Sequence, residues 1–432
     1  MVKLTTDDIE GKAPEITGSL DELARQGARR MILAALELEV EQYVQELRHL
    51  RDELDHAMVV RNGHARERTV QVGAGPIKVS APRVDDRRQD HRFTSKILPP
   101  YMRRSPRLEE ALPVLYLRGL STGDFSEALK ALLGPEAAGF SASTVTRMLK
   151  VWQDEYRVWR KRCLEGRDYV YIWADGVYFN VRLEEDRLAC LVIIGVLPDG
   201  RKEVIAIEDG YRESTESWTS LLRDLKRRGM PAPVLAIGDG GLGFWAALQE
   251  VYTESQEQRC WKHKIANVLD KLPKRLQPRA KAMLHEIMKA PDRKSALEDI
   301  DRFSQEYEAR YPKAVETLTK DQDQLLTFFD FPAEHWIHLR TTNPIESPFA
   351  TVKARTKKTK GAGSRNAGLA MAFKLLLSAE KRWRRVNAPH LVALVRAGVK
   401  FSDGEAQMLQ VDDPSEDRLF AQTPSVYAAT EV

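Results

Sequence analysis

Cysteine is scarce. Cys163, Cys190 and Cys260 are the only three in 432 residues, too few and too scattered for a disulfide framework, which excludes the small stapled folds of oxidising compartments. Long hydrophobic runs are also absent. The longest, Leu188 to Leu197, falls well short of the ~20 apolar residues that cross a bilayer and fits a buried strand instead. The opening MVKLTTDDIEGK lacks the charged-then-apolar order of a signal peptide, so a cytoplasmic protein with no membrane partner is expected. Nor is there an excess of one charge: 67 Lys+Arg against 63 Asp+Glu leave +4. That balance decides little, because a nucleic-acid binder can carry a basic face on one side and an acidic one on another.

Local charge is more informative. From Arg340 to Arg385 there are twelve basic residues and two acids, Glu346 and Glu380. From Arg61 to Arg107 there are twelve more against Glu67, Asp85, Asp86 and Asp90. A third basic tract lies between Arg259 and Lys281. Any one tract reads as a solvated surface. Three, interleaved with Trp261, Phe349, Phe373 and Trp383, favour a polyanionic partner.

A chain of this length exceeds one ordinary core, and two or three domains are expected. Residues 19–55 carry apolar positions at helical spacing, giving an N-terminal helical region over 1–60 that can pack on the body or on a second copy, for dimerisation or DNA binding. Residues 61–104 form a small β and basic segment, with TVQV and IKVSA as strands around the Gly73–Pro76 turn. Residues 105–165 read as three helices, with Ser141 and Ser143 as candidate caps of the third. A short helix, a turn and a helix carrying Arg147 and Lys150 fits a helix-turn-helix as well as it fits an ordinary three-helix unit. Consecutive β-type runs then fill 168–208, followed by a helix at STESWTSLLRDLKRRG, a strand at PVLAIG and a helix at LGFWAALQEVY. That order predicts an α/β layer of the RNase H-like kind over 166–260. Residues 261–335 read as an all-helical insertion, 336–400 as the returning part of the α/β domain, and 401–432 as a polar, acidic tail.

Cutting a phosphodiester demands a strong nucleophile and compensation for charge building at phosphorus. Two Mg²⁺ ions supply both, and such hard ions want carboxylate oxygens gathered at a sheet edge. Asp175 closes YVYIWAD and Asp239 closes PVLAIGD, so adjacent strands would bring both to one edge. Each has a plainer reading: Asp175-Gly176 as a hairpin turn, and Asp239-Gly240-Gly241 as a helix-capping turn. Glu346, in RTTNPIESPFATVKARTKKTKG, could reach the aspartates from a helix. It equally fits a capping box on Asn343 with Pro344 at the first helical position. Pattern alone does not separate these readings.

The segments WADGVYFNVRLE, EVIAIEDGYRESTESW, GDGGLGFWAALQEV, QRCWKHKIANVL and RTTNPIESPFATVKARTKKTKG resemble, in order, the motifs of bacterial mutator-type insertion-sequence transposases. The likeness extends upstream through RNGHARERT, APR, LYLRGLST and SASTVTRM, so it spans roughly residues 60 to 400. It implies an RNase H-like catalytic domain with a helical insertion, behind a mainly helical DNA-binding region. Asp175, Asp239 and Glu346 fall on the family's DDE triad, which would hold two Mg²⁺, with Mn²⁺ able to substitute. Cys260 and His263 fall on its Cys-x-x-His motif. With no second pair from Cys163 and Cys190, a four-ligand structural zinc is rejected, and His263 is expected to line the active site or touch DNA, with Cys260 beneath it. Lys353, Arg355, Lys357, Lys358 and Lys360 would hold DNA backbone, alongside Arg147 and Lys150. The partners implied are double-stranded DNA, at element ends and target, and further copies of the chain as a dimer or higher oligomer, placing the protein at the nucleoid when bound. The implied reaction is cleavage that frees a 3′-OH, which then attacks a second phosphodiester without a covalent protein intermediate. The competing readings are a nuclease or resolvase on the same fold and a silent DNA-binding regulator derived from such an enzyme. One departure stands out: Pro348, two residues after Glu346, predicts a helix starting at Ser347-Pro348 that leaves Glu346 outside it.

Overall fold

The computed structural model describes residues 19–120, 124–138, 142–181, 187–210, 214–358 and 361–407. They fall into two compact units, residues 1–150 and 151–432.

In the first unit, α1 (Leu20–Glu46) starts where the Ser19 hydroxyl accepts the Glu22 N–H, satisfying one of the unpaired donors of the first turn. Its inward stripe packs Leu36 against Val70, Ile77, Val79 and Leu98. The strands β2 (Arg68–Val72) and β3 (Gly75–Val79) pair antiparallel around the expected turn. A second pair, β1 (Val59–His64) with β4 (Pro82–Asp86), was not visible in the pattern, because NGH and PRVDD lack a clean apolar alternation. Helices α2 (Pro106–Leu117), α3 (Asp124–Leu133) and α4 (Ala142–Trp159) follow, the last continuing past residue 150 where this unit ends. Leu112, Phe125, Leu129, Leu133, Ala137 and Val145 form their common core. Arg147 and Lys150 are exposed on α4, while the candidate cap Ser141 lies outside the described residues.

The second unit is a mixed α/β structure around one five-stranded sheet. The strands are β5 (Tyr171–Phe179), β6 (Leu188–Val196), β7 (Lys202–Gly210), β8 (Leu235–Gly238) and β9 (Gln256–Arg259), in the order β7-β6-β5-β8-β9. β5, β6 and β7 are antiparallel neighbours, whereas β8 and β9 run parallel to β5. Every residue of β6 is buried, as its unbroken LACLVIIGV requires of a strand covered on both faces. Helices α5 (Thr215–Arg227) and α6 (Leu242–Val251) cover one face, where Trp218, Leu222, Leu225, Phe244 and Leu248 pack on Ile172, Ala174, Leu191 and Ile193.

After β9 the chain is helical: α7 (Trp261–Leu269), α8 (Gln277–Lys289), α9 (Arg293–Tyr307), α10 (Pro312–Thr319), α11 (Gln322–Leu326) and α12 (Trp336–Leu339). It then returns as α13 (Asn343–Lys358), which touches β5 and β6, and α14 (Arg365–Glu380), which lies against β7 and β6. α15 (His390–Arg396) follows, and β10 (Phe401–Ser402) and β11 (Glu405–Ala406) make a small hairpin at the start of the stretch expected to be tail. Residues 408–432 lie outside the described residues. No helix among those described is long and apolar enough to cross a membrane.

Candidate active site

Asp175 does not end its strand. β5 runs on to Phe179, with Asp175 opposite Val192 and Gly176 opposite Leu191, so the hairpin-turn reading is excluded. What ends at this point is the neighbour: β8 pairs with β5 only over Tyr171–Trp173. Asp175 therefore sits just past the last rung, on a stretch of β5 edge that β8 has vacated. Since side chains alternate between faces and Ile172 and Ala174 join the α5/α6 core, Asp175 lies on the opposite face with Trp173.

Asp239 follows the last residue of β8, and its Oδ1 accepts the Gly241 N–H at 2.7 Å. Gly241 is the cap residue of α6, so the expected turn is present while the carboxylate still opens on the cleft. Gly240 has φ +87°, and a Cβ there would fall 2.4 Å from the Arg259 guanidinium; glycine is required for both reasons.

Glu346 corrects the sequence expectation. α13 begins at Asn343 and passes through both Glu346 and Pro348, so the glutamate is in the first turn rather than outside the helix. Pro348 is the sixth residue of α13, so the helix accommodates it at the cost of the hydrogen bond the Pro344 carbonyl would have received and of crowding between the ring and that carbonyl. Asn343, the first helical residue, is not the cap. The Thr342 carbonyl receives the Ile345 and Glu346 N–H groups at 3.0 and 2.9 Å. The Thr342 hydroxyl donates to Glu346 Oε1 at 2.9 Å, and Lys262 Nζ donates to Oε2. Burial alone would raise the Glu346 carboxyl, but those bonds from Lys262 and Thr342 hold it below the ordinary glutamate range.

The structure brings Asp175, Asp239, His263, Glu346 and Lys353 together with Lys262, Asn343 and Ser347 around one open cleft of about 640 Å³. Cys260 lies beneath it, fully buried. Its Sγ accepts the Thr342 N–H at 3.3 Å and lies 3.3 Å from the Thr342 hydroxyl. His263 Nε2 is 3.9 Å from Glu346 Oε1. The neighbouring Cys260 is the main influence on the His263 ring, raising it to about 9 against the opposing effect of burial, with Asp175 and Asp239 adding to the rise. Burial would raise the Cys260 thiol, and His263 and Thr342 together reverse that.

The basic residues expected along α13 divide. Lys353, Lys357 and Lys358 are exposed. Arg355 is only 3% exposed, so its guanidinium is packed inward and not offered to a phosphate, a correction that follows from its place on the same face as Val352 and Phe349. Lys360 lies outside the described residues. Arg147 and Lys150 belong to the first unit. Lys262 and Thr342 were missed in the sequence. Lys262 could have been found from its place between Cys260 and His263, whereas nothing local marks Thr342.

A family model for "Transposase, Mutator family" matches residues 1–385. The transposase of insertion sequence element IS6120 from Mycolicibacterium smegmatis is 60% identical over 297 residues, covering 69% of this chain and 92% of that protein. The IST2 transposase from Acidithiobacillus ferrooxidans is 50% identical over 295 residues, covering 66% of this chain and 97% of its own. The IS256 transposase of transposon Tn4001 from Staphylococcus aureus is 27% identical over 358 residues, or 80% of this chain. The chain belongs to the Mutator family of transposases.

Proposed function

We propose that this transposase cuts and joins DNA strands at the cleft of Asp175, Asp239 and Glu346, on an RNase H-like sheet whose last part is reached through a helical insertion. The observation that carries this reading is the convergence of three carboxylates from β5, the end of β8 and the first turn of α13 on one open cleft. The strand order, three antiparallel strands followed by two parallel ones, supports the fold assignment.

The donor set fits hard divalent cations: three carboxylates in an open, polar cleft match the oxygen ligands and the water-rich shell that Mg²⁺ prefers, and Mn²⁺ accepts the same ligands. Bound there, two such ions would supply activation of the attacking oxygen and stabilisation of the leaving one. The chain's own residues do the rest. The Thr342 hydroxyl and Lys262 orient the two Glu346 oxygens. Lys262 and Lys353, both lining the cleft, attract and position a phosphate backbone. His263, carrying a proton at neutral pH by its raised basicity, adds positive charge where the cleaved phosphate gains negative charge. Exposed Lys357 and Lys358 extend the track along α13, and Arg147 and Lys150 on the first unit contribute element-end binding.

The test uses Asp175→Asn. That protein is expected to shift end-sequence DNA in a gel like the wild type, yet to give no nick and no joined product with Mg²⁺ or Mn²⁺. Retained cleavage would reject the assignment. A precut end with a free 3′-OH, supplied to the wild type, should be joined to target DNA; cutting without joining would instead identify a nuclease.

A further inference from the structure

Cys260 and His263 hold a geometry that the carboxylate cleft does not use. Cys260 precedes α7 and His263 lies in its first turn, three residues on, so both present themselves on one side of the helix. Their donor atoms and a Glu346 oxygen all lie within 4.8 Å of one another. Tetrahedral zinc, with ligand bonds of about 2.0–2.3 Å, needs ligand atoms roughly 3.3–3.8 Å apart, a closure of about 1 Å or less. The pair His263 Nε2 and Glu346 Oε1 is already at 3.9 Å. The other ring nitrogen, His263 Nδ1, is buried with no hydrogen-bond partner of good geometry. The supporting shell is built as well. The Thr342 N–H points at the sulfur and its hydroxyl reaches both the sulfur and Glu346 Oε1, the kind of outer contacts that orient thiolate and carboxylate ligands.

We propose that Cys260, His263 and Glu346 form a second cation site, selective for zinc-class ions, and that an ion bound there withholds Glu346 from the two aspartates. The second half rests on the reading of Glu346 given above. A thiolate ligand favours zinc, cobalt or cadmium and disfavours Mg²⁺, which wants oxygen donors. Three protein ligands leave one position facing the cleft, open to water or a phosphate oxygen. Binding costs the Cys260 thiol its proton, released to solvent along with any proton on His263. The two sites share only Glu346, so occupation of one empties the other.

The full-length protein is titrated with Co²⁺ in the presence of excess Mg²⁺ and followed by absorption spectroscopy. The expected result is a near-ultraviolet thiolate-to-cobalt band with the intense visible bands of a four-coordinate ion, discharged by Zn²⁺. Cys163→Ser keeps those bands; Cys260→Ser and His263→Gln lose them or bind about 100-fold more weakly, with unfolding transitions measured for both to show that each is folded. Absence of the thiolate band, or its persistence in Cys260→Ser, overturns the site. In parallel, Zn²⁺ is titrated into the Mg²⁺-supported cleavage reaction. Inhibition should be relieved by raising Mg²⁺, and half-inhibition of His263→Gln, relative to its own zinc-free rate, should need about 100-fold more zinc. Zinc that binds by the cobalt criterion yet leaves cleavage untouched overturns the competition. A cobalt site in a protein whose Asp175→Asn variant still cleaves keeps the site and rejects the catalytic assignment, so the two failures are distinguishable.

Discussion

At the scale of single residues, the cleft depends on small hydrogen-bonding groups rather than on the carboxylates alone. Thr342 is fully buried, and its hydroxyl is a neutral donor to Glu346 Oε1. Thr342→Val keeps the shape and removes the donor. A hydrogen bond to a charged acceptor is worth roughly 1.5–3 kcal/mol; if about half of that fixes Glu346 for reaction, cleavage slows roughly 4- to 12-fold while end-DNA affinity stays as it was. Equal single-turnover rates for the two proteins would show that Lys262 alone suffices. Gly240 makes a complementary case. Its φ of +87° and the 2.4 Å approach to Arg259 concern a guanidinium that cannot swing away, being 9% exposed and ion-paired with Asp321. Gly240→Ala is expected to cost about 2 kcal/mol or more in denaturant unfolding and to displace Asp239, lowering cleavage more than DNA binding. A fully stable and active variant would mean that the turn relaxes freely.

At the scale of elements, two histidines pin the approach to α15. His335 Nε2 faces the Ala388 carbonyl and so must donate; its Nδ1 then accepts the Tyr171 hydroxyl at 2.8 Å. His338 Nε2 accepts the Asn387 N–H at 3.2 Å and must be unprotonated there. Burial, chiefly, lowers both rings, that of His338 to about 4, with Lys202 adding to the effect. Between the ordinary value near 6.5 and about 4, the unfolded chain binds a proton that native His338 refuses, so stability falls as pH drops through that window and is unaffected above it. The expected loss between pH 7 and pH 5 is about 1–2 kcal/mol, read from urea midpoints, and His338→Gln, which keeps an acceptor but cannot titrate, should flatten the dependence. An unchanged slope in that variant would assign the effect elsewhere. None of this was legible in the sequence, since each histidine is defined by a partner far along the chain. The same holds for β9. Its QEQR has no apolar residue to mark a strand, yet Gln258 is wholly buried because its amide donates to the Arg259 and Leu325 carbonyls and accepts the Phe328 N–H. By contrast β6, an unbroken apolar run, and α5, capped by Ser214, could be read directly, because burial and capping leave local signatures. Pro348 misled for the opposite reason: its usual meaning as a helix stop does not hold here, where α13 runs through it at the sixth residue.

At the scale of the whole molecule, the three carboxylates were legible only as members of an ordered motif series. Taken separately, Asp175, Asp239 and Glu346 each had an adequate turn or cap reading, and two of those local features, the Gly241 turn and a helix start near Glu346, are present without excluding the cleft. Convergence is a property of the sheet order, which places β8 beside β5 and brings α13 back to β5. Charge has the same character. A net +4 predicts nothing about a polyanion, whereas Lys353, Lys357 and Lys358 are concentrated on the exposed part of one helix that begins at the cleft. If these three neutralise phosphates, each contributes about 0.9 to the slope of log affinity against log salt. Replacing all three by Gln should therefore flatten that slope by roughly 2–3 and weaken end-sequence and unrelated DNA alike, since backbone contacts carry no sequence information. Arg355 supplies the contrast within the same helix: buried as it is, Arg355→Met should lower thermal stability and leave the salt slope of the folded fraction unchanged. A triple variant with the parental slope would move the DNA track off α13, and a slope change in Arg355→Met would show that this guanidinium turns outward on DNA.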